Sequence, residues 1–477
     1  MKKEPMDTIA LHLSANTSAT LTDQLYSYFK EEISCGNLHK HEKLPSKRNL
    51  ASQLACSINT VQAAYNQLVD EGYLIAREKS GYYVAELAGI QHLGSIHQEE
   101  SIQLPQKKHY RYHFSYQGVD YDSFPFSVWR KIAKEVINAE DKELLISGDP
   151  KGHQGLRTSI ARYLQYSRGV NCSSEQIIIS SGTEFLMQLL IQLLDADSIY
   201  AIENPGYEKF NLLFKSNRVP CIPIPLDAQG LQLEALEKSK ATVVCVSPSH
   251  QFPTGCIMPV SRRLQLLGWA SEHMERYIIE DDYDSEFRYL GKPIPSLQGL
   301  DQQGRVIYLG AFSKSLSPAL RISYMVLPNQ LIRRYERNLQ FYICPVPTVE
   351  QKILQIFIDR GHFERHLNRM RNLYKQKREA LVEALHDKLP EVKIEGDSAG
   401  LHFIIRVHNG MDEAALVVAA RDQMVQVYGL SRYYSSSSQE TSDGTLLLGF
   451  ATLRFEEIDD AVSHLRKAWY IEEKTRS

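Results

Sequence analysis

No stretch of this 477-residue chain holds enough consecutive apolar residues to cross a bilayer, so no membrane-spanning helix is expected. An excess of charge of one sign is missing as well. The chain has 54 Lys+Arg against 57 Asp+Glu, a formal net charge of −3, which excludes a protein held on nucleic acid by bulk charge and leaves only local, shaped contacts. Cysteine is scarce: the seven residues Cys35, Cys56, Cys172, Cys221, Cys245, Cys256 and Cys344 are scattered, without a C-x-x-C pair or a clustered Cys/His metal spacing. That excludes a disulfide-stapled scaffold, gives no reason to expect a metal, and fits a reducing compartment. Internal repeats and low-complexity tracts are also absent. The opening MKKEPMDTIALHLSANTSAT starts with two lysines but is then broken by acidic and polar residues, unlike an export signal. A soluble cytoplasmic protein is expected.

A chain this long exceeds one ordinary core, and its patterning divides it. Residues 18–86 read as three helices and a hairpin, and 87–113, mixing Gly, Ser, Gln and Pro without periodicity, as a linker. From 114 to 477, apolar runs alternate with amphipathic helices. The runs Gln176–Ser180, Ser198–Glu203, Thr242–Ser247, Tyr277–Asp282 and Val306–Phe312 are nearly continuous in hydrophobicity. They suit strands buried on both faces of a mainly parallel, doubly wound α/β sheet, followed by a smaller C-terminal α+β part.

In the first unit, Leu21, Leu25, Tyr28, Phe29 and Ile33 share one helix face, which Gly36 can end in a left-handed cap. Ser46 can cap a second helix with Leu50 and Leu54 turned inward, and Ser57 a third, whose buried stripe is Ile58, Val61, Tyr65, Leu68 and Val69. Asn59, Thr60, Gln62 and Asn66 then face outward. Short polar side chains at the start of a third helix suit a recognition helix meeting base edges and phosphates. Two alternating runs joined at Glu78–Gly81 make a wing carrying Lys79.

The second constellation is chemical. Pyridoxal 5′-phosphate (PLP) needs an amine for its aldehyde, an anion at its ring nitrogen, a donor to its phenolic oxygen and a phosphate cradle. Lys314 follows one strand-like run, Asp281 ends another, and Tyr283 lies two residues beyond on the same side. Ser180–Thr183 sits between a strand and a helix start, where Ser181, Gly182 and Thr183 can hold phosphate. Ser313 and Arg321 add a donor and a charge, and Tyr207 is placed to stack on the ring.

LPSKRNLASQLACSINTVQAAYNQLVDEGYLIAREKSGYYV resembles the winged helix-turn-helix of the GntR family. The resemblance implies phosphate contacts from Ser46, Lys47 and Arg48, major-groove contacts from Asn59, Thr60 and Gln62, and minor-groove placement of Lys79 and Gly81. Residues 1–86 carry nine Lys+Arg against ten Asp+Glu, so binding to a double-stranded DNA operator as a dimer is expected. KGHQGLRTSIARYL, SSGTEFLMQLL, ENPGYEKF, PSHQFPTG, IIEDDYDSEF, GAFSKSLSPALRISYMV and GLSRYY resemble fold-type I PLP-dependent aminotransferases. Together the two parts resemble the MocR family of bacterial transcription regulators, whose members include a GABA-responsive regulator of bacilli. This implies that Lys314 forms the internal aldimine, Asp281 partners the ring nitrogen, Tyr283 partners O3′, Arg321 binds phosphate and Arg432 clamps an effector carboxylate. It also implies a head-to-tail, domain-swapped homodimer.

Two positions depart from the pattern. Where aminotransferases carry N-P-T-G, this chain has Phe252-Pro253-Thr254-Gly255, leaving the asparagine's contact missing or supplied by His250 or Gln251. After Tyr207 stands Glu208-Lys209 rather than a pair of arginines, and a lysine at 209 is a point charge near the effector, not a bidentate fork. The expected protein senses an amino acid or related amine through an external aldimine and changes transcription of an amino-acid, amine or cofactor metabolism gene. A working aminotransferase and a regulator that senses PLP itself are the alternatives.

Overall fold

The computed structural model describes residues 19–86, 109–289, 294–435 and 444–470, in two compact units divided between Lys107 and Lys108. In the first unit, helix α1 (Leu21–Ser34) starts at a Thr20 capping box that pairs with Asp23. It ends ahead of Gly36, whose φ of +78° only glycine adopts without strain. Helices α2 (Lys47–Gln53) and α3 (Ile58–Asp70) begin at the expected caps, Ser46 and Ser57. Leu25, Phe29, Leu50, Val61, Tyr65 and Leu68 close the core. Ile58, expected in that stripe, is 47 % exposed: it is the first helical residue, and the face that α3 buries begins only at Val61. Strands β1 (Leu74–Arg77) and β2 (Gly81–Val84) pair antiparallel from Leu74 with Val84 to Arg77 with Gly81, so Glu78–Ser80 form the wing tip. Lys79 (φ +57°) and Gly81 (φ +113°) take the left-handed backbone that turns it.

The second unit opens with β3 (Tyr112–His113), within the stretch expected as linker. Tyr112 is buried and pairs in parallel with Val425, so the body starts before residue 114. The rest of 87–108 lies outside the described residues. The large sheet comprises β4 (Ile177–Ser180), β5 (Tyr200–Asn204), β6 (Cys221–Asp227), β7 (Gly230–Leu231), β8 (Val243–Val246), β9 (Tyr277–Asp282), β10 (Val306–Ala311) and β11 (Ser323–Val326). Their spatial order is β4-β11-β10-β9-β8-β5-β6-β7. All five expected runs are strands in it. The run β10, β9, β8, β5, β6 is parallel, whereas β11 is antiparallel to both β10 and β4. Adjacent residues of β4 feed opposite cores: Ile178 packs with Leu186, Leu190 and Met325, while Ile177 and Ile179 pack with Leu156, Ile160 and Phe357. Burial on both faces is what the unbroken apolar runs foretold.

A smaller antiparallel sheet, in the order Val392–Glu395, His402–Val407, Thr445–Gly449, Tyr428–Gly429, packs with helices His362–Lys388 and Ile458–Trp469. The consequence for chemistry is positional. The turns leaving β4, β5, β8, β9 and β10, and the one entering β11, all lie at one edge of the large sheet, where ligands of open α/β sheets bind.

Candidate functional site

At that edge lies a cavity of about 330 Å³. Each strand end contributes to it: Gly182 and Thr183 after β4, Tyr207 and Lys209 after β5, Phe252 after β8, Asp281 and Tyr283 at β9, Ser313 and Lys314 after β10, Arg321 before β11. Of the ten residues expected to touch a cofactor or effector there from the large sheet, only Ser181 is outside the lining; its carbonyl accepts from Arg321 Nη2 at 3.2 Å. Arg432 is also off the cavity, in the turn Leu430–Tyr433, with its Nε 2.9 Å from Glu208 Oε2.

Burial pushes the Lys314 amine down to about 8, partly opposed by Asp284, and Lys209 lowers it further. Its Nζ donates to the Tyr116 carbonyl. Burial pushes the Asp281 carboxyl up to about 7, helped by the negative neighbours Asp282, Asp284 and Glu184. Among the described residues Asp281 makes no ion pair, so the floor of the cavity carries a carboxyl that lacks a cation. A protonated pyridine nitrogen is such a cation. Asp282 is held by other partners: Arg168 Nε lies 2.8 Å from its Oδ2, and the Tyr308 hydroxyl donates to the same oxygen.

The phosphate-sized corner is bounded by the start of helix Thr183–Leu193, Arg321 and Lys209. Gly182 (φ +98°) has no room for a side chain, since a Cβ would lie 1.9 Å from Arg321 Nη2. Glu184 already sits in this corner, 2.9 Å from Arg321 and 3.0 Å from Lys209. Burial works against its charge, yet its own backbone amide, Lys209 and Arg321 together hold it at about 2. An amine, an unpaired acidic floor, a phenol, a cationic corner and the aromatic wall of Tyr207, Tyr116 and Phe252 fit PLP group by group.

The missing asparagine is not replaced by Gln251, whose amide is spent on Glu203, Pro205 and Thr254. His250 lies behind the wall, its Nδ1 2.9 Å from Asp284 and 3.1 Å from the Tyr283 hydroxyl. Sequence reasoning missed Tyr116, Gln117, Glu184, Asp284, Leu401 and His402 as lining residues. Glu184 and Asp284 stood inside quoted motifs next to chosen residues. The others come from segments with no motif.

On the head, Arg48, Asn59 and Lys79 are exposed, and Ser46 and Thr60 hold cap bonds as well as facing the surface. Lys47 and Gln62 are joined: Lys47 Nζ donates to Gln62 Oε1, and Gln62 Nε2 donates to Asn66 at 2.9 Å. Beside the wing, Arg77 lies 4.6 Å and Lys43 5.8 Å from the Tyr83 ring centre, a basic flank that the sequence reading did not single out.

Residues 21–84 match the bacterial regulatory proteins of the gntR family, and residues 118–465 the class I and II aminotransferases. The uncharacterized HTH-type transcriptional regulator YdeL of Bacillus subtilis is 40 % identical over 461 residues, 96 % of this chain and 99 % of its own length. The probable rhizopine catabolism regulatory protein MocR of Rhizobium meliloti is 33 % identical over 96 % of each chain. Among solved structures, a Pyrococcus horikoshii kynurenine aminotransferase is 28 % identical with a TM-score of 0.66, over 76 % of this chain and 91 % of that one. A gntR-type head followed by a class I and II aminotransferase body, aligned end to end with such regulators, places the chain in the MocR family.

Proposed function

We propose that this protein is a PLP-dependent, DNA-binding transcription regulator whose aminotransferase-type body senses a small amino acid or amine. The observation that carries this reading is the co-location of Lys314, Asp281, Tyr283 and the Arg321–Gly182 corner in one cavity of a chain that also bears a winged helix-turn-helix. When bound, PLP supplies an aldehyde that condenses with primary amines and a ring that withdraws electrons.

The chain's own groups then have defined tasks. Lys314 would hold the cofactor's aldehyde through Nζ, whose proton affinity burial lowers, and when free that amine would donate to the Tyr116 carbonyl as it does here. Asp281 would hold a proton on the ring nitrogen, Tyr283 would donate to the phenolic oxygen, and Tyr207 would pack on the ring. Gly182, Thr183, Ser313 and Arg321 would grip the phosphate, with Ser181 behind them, its carbonyl accepting from Arg321. Arg432 leaves Glu208 for an effector carboxylate, with Lys209 as a second positive charge. An effector shifts the body's shape only by binding one shape more tightly than another, and exchange of these ion pairs supplies such a difference.

In the head, Ser46, Lys47 and Arg48 meet phosphates, Asn59, Thr60 and Gln62 the major groove, and Lys79 and Gly81 the minor groove. The working unit is a cytoplasmic homodimer, with two heads on one operator. The test is the visible absorption of PLP-loaded protein during addition of amino acids and amines. A ligand that shifts the band and leaves it shifted supports sensing. Loss of the band with recovery on adding a keto acid would instead show a turning-over aminotransferase.

A further inference from the structure

The chain lacks the asparagine that aminotransferases place beside the cofactor's phenolic oxygen, and the group that stands behind the cavity wall at this point is His250. Its ring is 1 % exposed, and the Asp284 side chain that faces it is 2 % exposed. Asp284 Oδ2 lies 2.9 Å from His250 Nδ1, and the Tyr283 hydroxyl lies 3.1 Å from the same nitrogen. The Tyr283 proton is directed elsewhere: the hydroxyl donates to the His250 backbone carbonyl at 2.9 Å. An ionised carboxylate only accepts, so His250 Nδ1 must carry the hydrogen, shared between Asp284 and the Tyr283 oxygen. The other nitrogen, Nε2, is buried without a hydrogen-bond partner. The tautomer is therefore fixed by its surroundings rather than free to exchange.

From this arrangement we infer that Asp284 and His250 are positioning residues for Tyr283, together doing for O3′ what the missing asparagine does elsewhere. The inference rests on the reading that PLP occupies the cavity. His250 Nδ1–H donates into the Tyr283 oxygen; with PLP bound, the phenol's one hydrogen would turn from the His250 carbonyl to the cofactor's phenolic oxygen, and the donation from Nδ1 would make it a stronger donor there. Asp284 holds the ring so that this nitrogen keeps its hydrogen, as a carboxylate does behind the histidine of a hydrolytic triad. The charged and titratable groups around Tyr283 are Asp281, Asp282, Asp284 and Glu203, with His402 packed on His250 at 4.9 Å between ring centres and Lys314 within the same cavity. Burial first, and then these acidic neighbours, oppose charge on the phenol, which is why a dedicated donor to its oxygen matters.

The test is a pH titration of the visible band of PLP-loaded protein. Weakening donation from Tyr283 leaves the cofactor phenolate more basic and the adjoining imine proton more tightly held. His250→Leu should therefore raise the midpoint by about one pH unit, in the same direction as Tyr283→Phe. His250→Asn, whose side-chain N–H can take the place of Nδ1–H, should restore the wild-type midpoint. Asp284→Asn keeps the packing but loses both its hold on the ring and the negative charge that supports a cation at Lys314; the second loss partly offsets the first, so it should give a smaller rise, and it serves if the leucine variant does not fold. Placed in the Tyr283→Phe background, His250→Leu should add nothing. An unchanged midpoint in both His250→Leu and Asp284→Asn, or a His250→Leu shift that persists without the Tyr283 hydroxyl, would overturn the inference. No band at all in wild-type protein given PLP would overturn the functional reading itself, and this inference with it.

Discussion

Glu184→Gln should tighten PLP binding. The Glu184 carboxylate occupies the corner proposed for the cofactor phosphate, 2.9 Å from Arg321 and 3.0 Å from Lys209. A phosphate reaching Arg321 meets that negative charge within ~4–6 Å. Unit charges so spaced interact by about 3–4 kcal/mol at an effective dielectric of ~20. Because the Glu184 side chain is 36 % exposed, solvent screening leaves roughly a third to a half of this. The gain is then about 1.4 kcal/mol, or about tenfold in Kd. The assay is titration of cofactor-free protein with PLP and, separately, with pyridoxal, which has the aldehyde and ring but no phosphate. Tenfold tighter PLP with unchanged pyridoxal is expected. Equal or weaker PLP binding would show that Glu184 holds Arg321 ready for phosphate instead of competing with it. An equal gain for pyridoxal would show that the effect does not act through the phosphate corner.

Three further outcomes follow from the same geometry. Capture of PLP by the cofactor-free protein requires neutral Lys314; with the amine pushed down to about 8, the rate should climb with pH and level off above that value, and a rise continuing through pH 10 would refute the lowered affinity for protons. Arg432→Ala should leave PLP absorption intact while abolishing the response to carboxylate-bearing effectors, since this residue lies off the cofactor cavity; a normal response would remove it from the effector site. Lys47→Ala should weaken DNA binding across sequences and reduce the salt slope by about one per head; an unchanged slope with altered sequence preference would mean that Lys47 acts only by holding Gln62.

What the sequence revealed tracks how local the signal was. β4, β5, β8, β9 and β10 announced themselves because burial on both faces leaves no polar interruption, and a residue at the end of such a run is automatically at the ligand edge. This is why Lys314, Asp281 and Tyr283, which line one cavity, are legible in the sequence. β6 was hidden by Pro223 and Pro225. Ile58 had the spacing of a core residue but the position of a first-turn one. Glu184 in the phosphate corner, Arg432 on Glu208, and the His250–Asp284 pair 34 positions apart are relations between segments, and no periodicity reports them.

The antiparallel strand β11 has a mechanical consequence. A parallel partner for β10 would have required a long crossover, but the reversal lets residues 312–322 return directly, so Lys314 and Arg321 hang on one short span anchored at both ends in the sheet. On its far side β11 is laced to β4, and Ser323 faces Ser180, the residue that leads into the Gly182 turn. The hand that grasps the aldehyde and the hand that grasps the phosphate thus belong to the same arm. Under the proposed function, a shift that frees Lys314 would also be felt at Arg321 and the Gly182 turn, so registering an amine would change how firmly the body keeps its own detector.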